Sequence, residues 1–72
     1  MDQGAFPPDD GWCVEIVARD DGAVIEQQVF VLAEDARDHA KQHVWRHKDH
    51  VARIFERQGG ATVFRTEVSF PR

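Results

Sequence analysis

Four histidines suggest the most specific chemistry in this sequence, and they are the only histidines in the chain. His39, His43, His47 and His50 follow one another at spacings of four, four and three residues. On a helix these spacings place the side chains within a sector of about 80°. Because imidazoles one helical turn apart can share a divalent metal, His39, His43 and His47 are the candidate metal ligands.

A structural role for the histidines is the stronger interpretation. The same sector contains Ala36 and Ala40, so the rings can line the border of the core with one nitrogen in contact with water. The chain has a single cysteine and lacks the HExxH pattern of zinc proteases. We therefore predict no metal or other cofactor. We expect the clustered imidazoles to become protonated at about pH 6 and to loosen the helix.

The cysteine gives no sign of catalysis. Cys13 lies on a predicted strand two residues before Glu15, and no histidine is near it in sequence, so a catalytic dyad is not recognisable. A chain of 72 residues also has little volume for a substrate pocket. We predict that the protein is not an enzyme, and the lone thiol favours the reducing cytoplasm.

Charge and composition limit the kinds of partner and indicate the domain organisation. The formal net charge of -4 argues against broad attachment to nucleic acid or to an anionic membrane. The N-terminus lacks a basic region followed by an apolar run, so no signal peptide or membrane span is predicted. Residues 1–11 are rich in Pro, Gly and Asp and are predicted to be a flexible leader before one domain, residues 12–72.

Two turn signals and one helical segment between them predict the fold. Asp21-Gly22 and Gly59-Gly60 each lie between runs rich in Val, Ile and Phe, and both suit two-residue type I′ hairpin loops. The segment 32–48 lacks Gly and Pro and is predicted to be a helix. This order predicts an α+β fold, ββαββ, in which two β-hairpins form a four-stranded antiparallel sheet with one helix packed on one face.

The predicted loops determine which side chains face the helix, because the register of a hairpin follows from its turn. The expected helix-facing pairs are Trp12–Val31, Val14–Val29, Ile16–Gln27 and Ala18–Ile25 in the first hairpin, and Phe55–Phe64, Arg53–Thr66 and Val51–Val68 in the second. The expected apolar stripe of the helix consists of Leu32, Ala33, Ala36, Ala40 and Val44. Small side chains in that stripe allow the helix to lie close to the sheet.

The face without a helix is the predicted site of function, because a large exposed apolar patch usually marks an interface. Trp45 lies about 180° from Ala36 on the helix and is expected to be an exposed anchor, unless the helix ends early and Trp45 folds over a sheet edge. The predicted protein or dimer interface consists of Cys13, Val17, Phe30, Ile54, Val63, Arg65 and Trp45.

Single-stranded nucleic acid is the alternative partner. Arg53, Arg57 and Arg65 alternate with Phe55 and Phe64, as in proteins that stack bases on rings and hold phosphates with arginine. The predicted register buries both rings beneath the helix, and the chain is acidic overall, so this interpretation ranks second.

A distant resemblance to other small domains also favours protein binding. The Trp12-Cys13-Val14 start, the turn at Gly22 and the alanine-rich helix are similar to those of small prokaryotic domains that begin with a Trp-x-Val strand. The resemblance covers about half of the chain and implies no residue roles. Such short acidic proteins are often accessory or phage-encoded factors. We predict a non-catalytic protein-binding module, either a homodimer or an adaptor or inhibitor of a larger protein, with no membrane partner.

Overall fold

Residues 10–71 are described by the structure, a computed structural model, and they form two antiparallel hairpins joined by one helix. The elements in chain order are β1 (Gly11–Ala18), β2 (Val24–Phe30), α1 (Ala33–Arg46), β3 (His50–Gln58) and β4 (Ala61–Ser69). The sheet order is β2-β1-β3-β4, with antiparallel neighbours throughout, and α1 packs against the sheet. The predicted ββαββ fold is confirmed. Most of the predicted leader, residues 1–9, lies outside the described residues.

The helix presents a narrow stripe of small residues to the sheet, as its spacing predicts. Ala36, Ala40 and Val44 are buried, and acidic residues in the first turn and basic residues in the last turn complement the helix dipole. Leu32 is the exposed N-cap residue, so it lies outside the stripe in which it was expected. The small stripe allows α1 to approach the central strands closely.

The two central strands supply the sheet side of the core. Val14 pairs with Ile54 and Ile16 pairs with Ala52, so one face of β1 and β3 forms a continuous apolar surface beneath α1. Burying one Val or Ile side chain stabilises the fold by about 1.5–3 kcal/mol relative to leaving it exposed. We call this side of the sheet the helix face. Its core cluster consists of Val14, Ile16, Ala36, Ala40, Val44, Ala52 and Ile54, bordered by Trp12, Phe30 and Val68.

The first hairpin turn differs from the predicted type I′ loop. Ala18 N donates to Ala23 O (2.9 Å), and Gly22 N donates to Ala18 O (2.9 Å), so four residues form the loop. Gly22 has φ 73°, whereas Asp21 lacks the positive φ that a type I′ turn requires. Its Oδ1 atom instead accepts from Ala23 N at 3.0 Å. An aspartate side chain that bonds to the backbone in this way stabilises the longer turn.

A β-bulge, and not the longer turn, reverses the predicted orientation of most of β2. Trp12 pairs with Phe30 and Val14 pairs with Gln28, each one residue from the expected register. The four-residue loop moves the register by two residues, which leaves Val24 on the predicted open side. Ile25, the extra residue of a β-bulge between the pairs of Ile16 and Val17, then shifts the register back by one. Because a slip of one residue moves every side chain to the other face, Phe30 borders the core instead of the open side.

The second turn agrees with prediction, but the strand orientation does not. Gly59 and Gly60 both have positive φ, and Gln58 pairs directly with Ala61, as expected for a two-residue loop. The predicted Phe55–Phe64 pair is confirmed. A bulge follows, in which Arg65 is the extra residue, and the later pairs differ from the predicted ones.

The helix-facing side of β3, and of β4 before its bulge, is the one that was predicted to be open, whereas Val68 faces the helix as predicted. Ile54 is 1% exposed beneath α1, whereas Phe64 is 53% exposed on the other side of the sheet. The predicted placement of Ile54 on the uncovered surface, and of the two phenylalanines in the core, is wrong. The reason is that both faces of β3 carry apolar residues. Because α1 lies close to the sheet, it packs on the face with the smaller side chains, Ala52 and Ile54.

The sheet surface opposite α1, which we call the open face, is not covered by any element within residues 10–71. The strand register places its side chains in four rows that run across the sheet in the order β2, β1, β3, β4. The open face consists of Val24, Val17, Val51 and Ser69; Gln27, Glu15, Arg53 and Glu67; Val29, Cys13, Phe55 and Phe64; and Gly11, Arg57 and Thr62.

Candidate functional site

One row of the open face is apolar on all four strands. Val29, Cys13, Phe55 and Phe64 are successive register partners across the sheet. The two phenylalanine rings meet edge to face with centroids 5.6 Å apart, an arrangement favoured by the ring quadrupoles. Phe64 and Val29, on the edge strands, are exposed, while Cys13 and Phe55 are half-buried. The row is therefore an apolar stripe available to a partner.

The neighbouring row carries charges of both signs. Glu15 on β1 is the direct register partner of Arg53 on β3. Gln27 Nε2 donates to Glu15 Oε2 at 2.9 Å, and Arg53 Nε lies 3.8 Å from Glu67 Oε1. Both ends of the row are solvent-exposed, so these contacts contribute little to stability. The row alternates in sign within a span of three strands.

Arginines border the open face at both ends. At one end Arg57 Nη1 donates to Thr62 Oγ1 at 2.9 Å. At the other end Arg19 Nη2 donates to the carbonyl oxygen of Phe70 at 3.1 Å, which requires its side chain to cross the start of β3. Val17 and Val51 are buried at this end, although neither belongs to the core cluster beneath α1. The exposed part of the open face is thus centred on the apolar and the charged rows.

The cysteine in the apolar row is chemically quiet. Burial raises the pKa of the Cys13 thiol, and the negative charge of Glu15 raises it further, while Arg57 acts in the opposite direction. A thiol with a raised pKa is protonated at neutral pH and is a poor nucleophile. Cys13 therefore contributes apolar surface rather than reactivity.

The structure separates the residues of the predicted interface. Cys13 and Val17 lie on the open face, although Val17 is buried. Phe30 and Ile54 lie on the helix face, so their assignment to the open surface is corrected. The displacement of Phe30 follows from the bulge at Ile25, and that of Ile54 from the side of β3 that packs against α1.

The remaining predicted interface residues lie elsewhere on the molecule. Val63 is half-buried and pairs with Glu56. Both lie on the helix face, because Glu56 is two residues after Ile54 on the same strand. Arg65 is the bulged residue of β4 and donates from Nε to Glu56 Oε1 at 2.8 Å. Trp45 is 60% exposed on α1 and packs edge to face on Phe70, with centroids 4.6 Å apart. Trp45 is thus both exposed and supported by the end of the second hairpin.

Three residues of the apolar row were missing from the predicted interface. Val29, Phe55 and Phe64 were expected to face the helix. The bulge at Ile25 places Val29 on the open face, and the packing of the Ala52 side of β3 against α1 places the two phenylalanines there. The available signal was the size of the side chains: a stripe containing Ala36 and Ala40 leaves room for small partners, which favours the Ala52 side of β3 over the phenylalanine side.

The histidines form a cluster at the end of α1 and the start of β3. His43 Nε2 lies 2.9 Å from His50 Nδ1, so one ring donates and the other accepts. The ring of His47 is tilted against His43 and stacks on His50, with centroids 4.7 Å and 5.0 Å away, respectively. His39 lies apart, with Nε2 at 3.2 Å from Glu26 Oε2. The structure therefore divides the predicted set into a group of three and a single residue paired with a carboxylate.

The pKa of His43 is lowered by its position in this cluster. Burial lowers the pKa of His43, and the neighbouring His47 lowers it further; Glu26 opposes the shift, while His50 and His39 add to it. Within the described part of the chain, no group of three or more His, Cys, Asp or Glu side chains could hold a metal ion. The predicted candidate ligands His39, His43 and His47 are thus not arranged as a coordination site.

Comparisons of the chain with protein-family models, with curated proteins and with solved structures return no match. Among residues 10–71, no helix is both long and apolar enough to cross a membrane.

Proposed function

We propose that this protein is a non-catalytic protein-binding module that acts through the open face of its sheet, as an accessory factor, adaptor or inhibitor. The observation that carries the proposal is the uncovered apolar row formed by Val29, Cys13, Phe55 and Phe64. An apolar stripe flanked by charged side chains has the composition of a protein interface, with an aromatic centre and a polar rim. A reducing compartment, the cytoplasm, suits the unpaired thiol in that stripe.

The physical basis is the same as in a β-sandwich. A sheet that carries apolar side chains on both faces gains free energy when those on its second face are covered, because the side chains of the two layers exclude water from each other. In this chain the single helix covers one face only. A protein surface that packs on Phe55 and Phe64 supplies the missing layer.

The test compares two substitutions that introduce the same charge at two equally exposed positions. Phe64→Asp places a carboxylate in the apolar row, whereas Leu32→Asp places one at the N-cap of α1; the two original side chains are 53% and 52% exposed. Each variant and the parent are immobilised and exposed to an extract of the cells that encode the chain and to a tagged copy of the chain. Any protein retained is then purified, and its Kd for the three baits is measured.

We expect the purified partner to bind the parent and Leu32→Asp alike, and to bind Phe64→Asp at least about tenfold more weakly, since a charge would be buried in an apolar contact. Circular dichroism and thermal midpoints verify that all three chains are folded. Equal binding by Phe64→Asp and the parent would reject the open face as the interface.

Single-stranded nucleic acid is the second candidate, and the structure adds an observation in its favour. Phe55 and Phe64 lie on the open face, with Arg53 and Arg57 on the same side, which is the arrangement of a stacking platform with phosphate contacts. Against it, Arg53 already lies near Glu67, Glu15 occupies the same row, and the net charge is -4. The third arginine of the predicted set, Arg65, is bonded to Glu56 away from this platform.

An oligonucleotide titration distinguishes the two candidates. The parent and Arg53→Gln are titrated with a labelled single strand of about 10 nucleotides, within the usual site size of such domains, at several salt concentrations. We expect no binding that depends on salt. Binding that weakens steeply with salt and that is reduced in Arg53→Gln would replace protein with nucleic acid as the partner of the open face.

A further inference from the structure

The charged row of the open face is complementary to itself. Glu15 and Arg53 are direct register partners on the two central strands, so a negative and a positive side chain stand on either side of the midline of the sheet. The apolar row is also complementary to itself, in side-chain volume, because the small Cys13 stands beside the large Phe55. A rotation that exchanges β1 with β3 therefore places each member of a pair on its complement.

We propose that the partner on the open face is a second copy of this chain, related to the first by a twofold axis that runs parallel to the strands between β1 and β3. This proposal rests on the proposed function, which assigns protein binding to the open face. In the dimer, Glu15 of each copy meets Arg53 of the other, and Cys13 of each copy packs on the other Phe55. Two copies thus form an aligned two-layer sheet sandwich with α1 helices on the outside.

The charge pattern selects this axis over the alternative. A twofold axis perpendicular to the strands would keep each strand over itself. Passing through the charged row, it would place Glu15 on Glu15 and Arg53 on Arg53; passing through the apolar row, it would place Arg53 over Arg57; and passing between these two rows, it would place charges on the apolar row. Like charges at close range and charges against apolar surface are both unfavourable. Only the axis parallel to the strands matches opposite charges and keeps the apolar rows together.

The area of the face is sufficient for a specific contact. Four strands spaced about 4.8 Å apart and seven to nine residues long cover roughly 500 Å² per copy. Two copies therefore bury about 1,000 Å², the lower limit for a specific interface. At this size the central residues dominate the affinity. The Glu15–Arg53 contact lies at that centre, and the twofold axis repeats it.

Neither Arg57 nor Glu67, near the rims of the face, meets a like charge in this dimer. Arg57 is the register partner of Gly11, so the exchange of β1 with β3 places its guanidinium over a glycine. Glu67 on β4 comes to lie over Gln27 on β2, whose amide can donate to the carboxylate. The open face therefore meets its own copy without an unmatched charge in the charged row.

Charge-swap variants of the full-length chain test the proposal. Glu15→Arg brings two arginines together across the interface, and Arg53→Glu brings two glutamates together. Each variant alone should dissociate at a concentration at which the parent is a dimer, with a dimer Kd raised about 100-fold or more because the contact occurs twice. Analytical ultracentrifugation gives the Kd values, and circular dichroism verifies folding.

The decisive measurement is the mixture of the two variants. At equal concentrations, Glu15→Arg and Arg53→Glu should form a heterodimer, seen by native mass spectrometry, because each position 15 then faces a position 53 of opposite charge. Effects within one chain are the same before and after mixing, so they cannot produce this rescue. The matched controls Glu34→Arg and Arg46→Glu change the charge equally on exposed positions of α1, and they should remain dimers.

The outcomes separate this proposal from the function on which it rests. A parent that stays monomeric at its highest soluble concentration, or folded variants that fail to combine on mixing, would overturn the second copy as the partner. A different protein that loses affinity for Phe64→Asp but not for Leu32→Asp would still support the open face as an interface. If neither self-association nor binding of another protein depends on Phe64, both proposals fail.

Discussion

Phe55 and Phe64 meet edge to face on the side of the sheet that α1 leaves uncovered, with ring centroids 5.6 Å apart. Two aromatic side chains that the alternation of the second hairpin assigns to the core are thus part of the surface. The aliphatic Ile54, next in sequence to Phe55, occupies the core instead. This exchange of faces determines both where the stability of the domain resides and where a partner can bind.

Truncation of Ile54 and of Phe64 should therefore have unequal effects on stability. Ile54→Ala removes buried methyl groups beneath α1 and should lower the free energy of unfolding by about 2–5 kcal/mol. Phe64→Ala removes a half-exposed ring and its edge-to-face contact, and should cost only about 1 kcal/mol. Urea denaturation of the three chains measures the difference. A larger loss for Phe64→Ala would show that the ring belongs to the core.

Glycine at position 21 distinguishes the observed four-residue turn from a type I′ loop. Asp21 lacks a positive φ and accepts a hydrogen bond from Ala23 N, so Asp21→Gly should destabilise the domain by about 1 kcal/mol. In a type I′ loop the same change would relieve a left-handed aspartate and stabilise the hairpin. The sign of the change in thermal midpoint decides between the two turns.

A substitution at Gly22 gives a second test of the same turn. Its φ of 73° is disfavoured for residues with a side chain, although space is available for a Cβ atom. Gly22→Ala should therefore cost about 1–2 kcal/mol through backbone strain alone. An unchanged free energy of unfolding would mean that the turn can relax to another conformation.

The histidine cluster should make the domain less stable in mild acid. The pKa of His43 is lower in the folded chain than the ordinary value of 6.5, so below that pH the unfolded chain binds the proton more tightly. The stability present above pH 6.5 is therefore lost as the pH falls towards the lowered pKa. We expect a lower thermal midpoint at about pH 5.5 than at about pH 7.5.

The surroundings of His43 determine the control for this experiment. His47 and His50 repel its protonated form, as does His39, whereas the carboxylate of Glu26 attracts it. His43→Gln retains a polar group but cannot become charged, so its midpoint should change less between the two pH values than that of the parent. Equal midpoints for the parent at both values would contradict the coupling of this cluster to folding.

The thiol of Cys13 should react slowly, and its neighbours should change the rate in opposite directions. Burial and the charge of Glu15 raise its pKa, and Arg57 lowers it. Glu15→Gln should therefore accelerate alkylation at a fixed neutral pH, and Arg57→Gln should retard it, because the thiolate is the reacting species. Alkylation rates of dilute protein, with the urea-unfolded chain as reference, measure the effect. Identical rates for both variants would contradict the electrostatic explanation.

Much of the fold is readable from local pattern. The absence of Gly and Pro, together with the spacing of Ala36, Ala40 and Val44, predicts the helix and its buried stripe. The glycine pair after Gln58 predicts a two-residue loop, because each glycine adopts positive φ without a steric penalty. These features depend on neighbours in sequence, so the interactions that produce them are visible before folding.

The candidate site was predictable only in part, because it depends on register over distance. The extra residues Ile25 and Arg65 form bulges on the two edge strands, and no local pattern distinguishes them from paired residues. Each bulge moves the following side chains to the opposite face. The histidine cluster shows the same limit: helical spacing groups His39 with His43, but the return of β3 places His50 there instead.

The amino-acid sequence by itself determined the number and order of the elements, the buried stripe of the helix and the inward residues of β1. It left the orientation of the second hairpin undecided, since Ala52 and Ile54 on one side of β3 are matched by Val51 and Phe55 on the other. Only the tertiary structure resolved that choice. The closely packed helix leaves space for alanine and isoleucine, and the larger phenylalanine then remains on the open face.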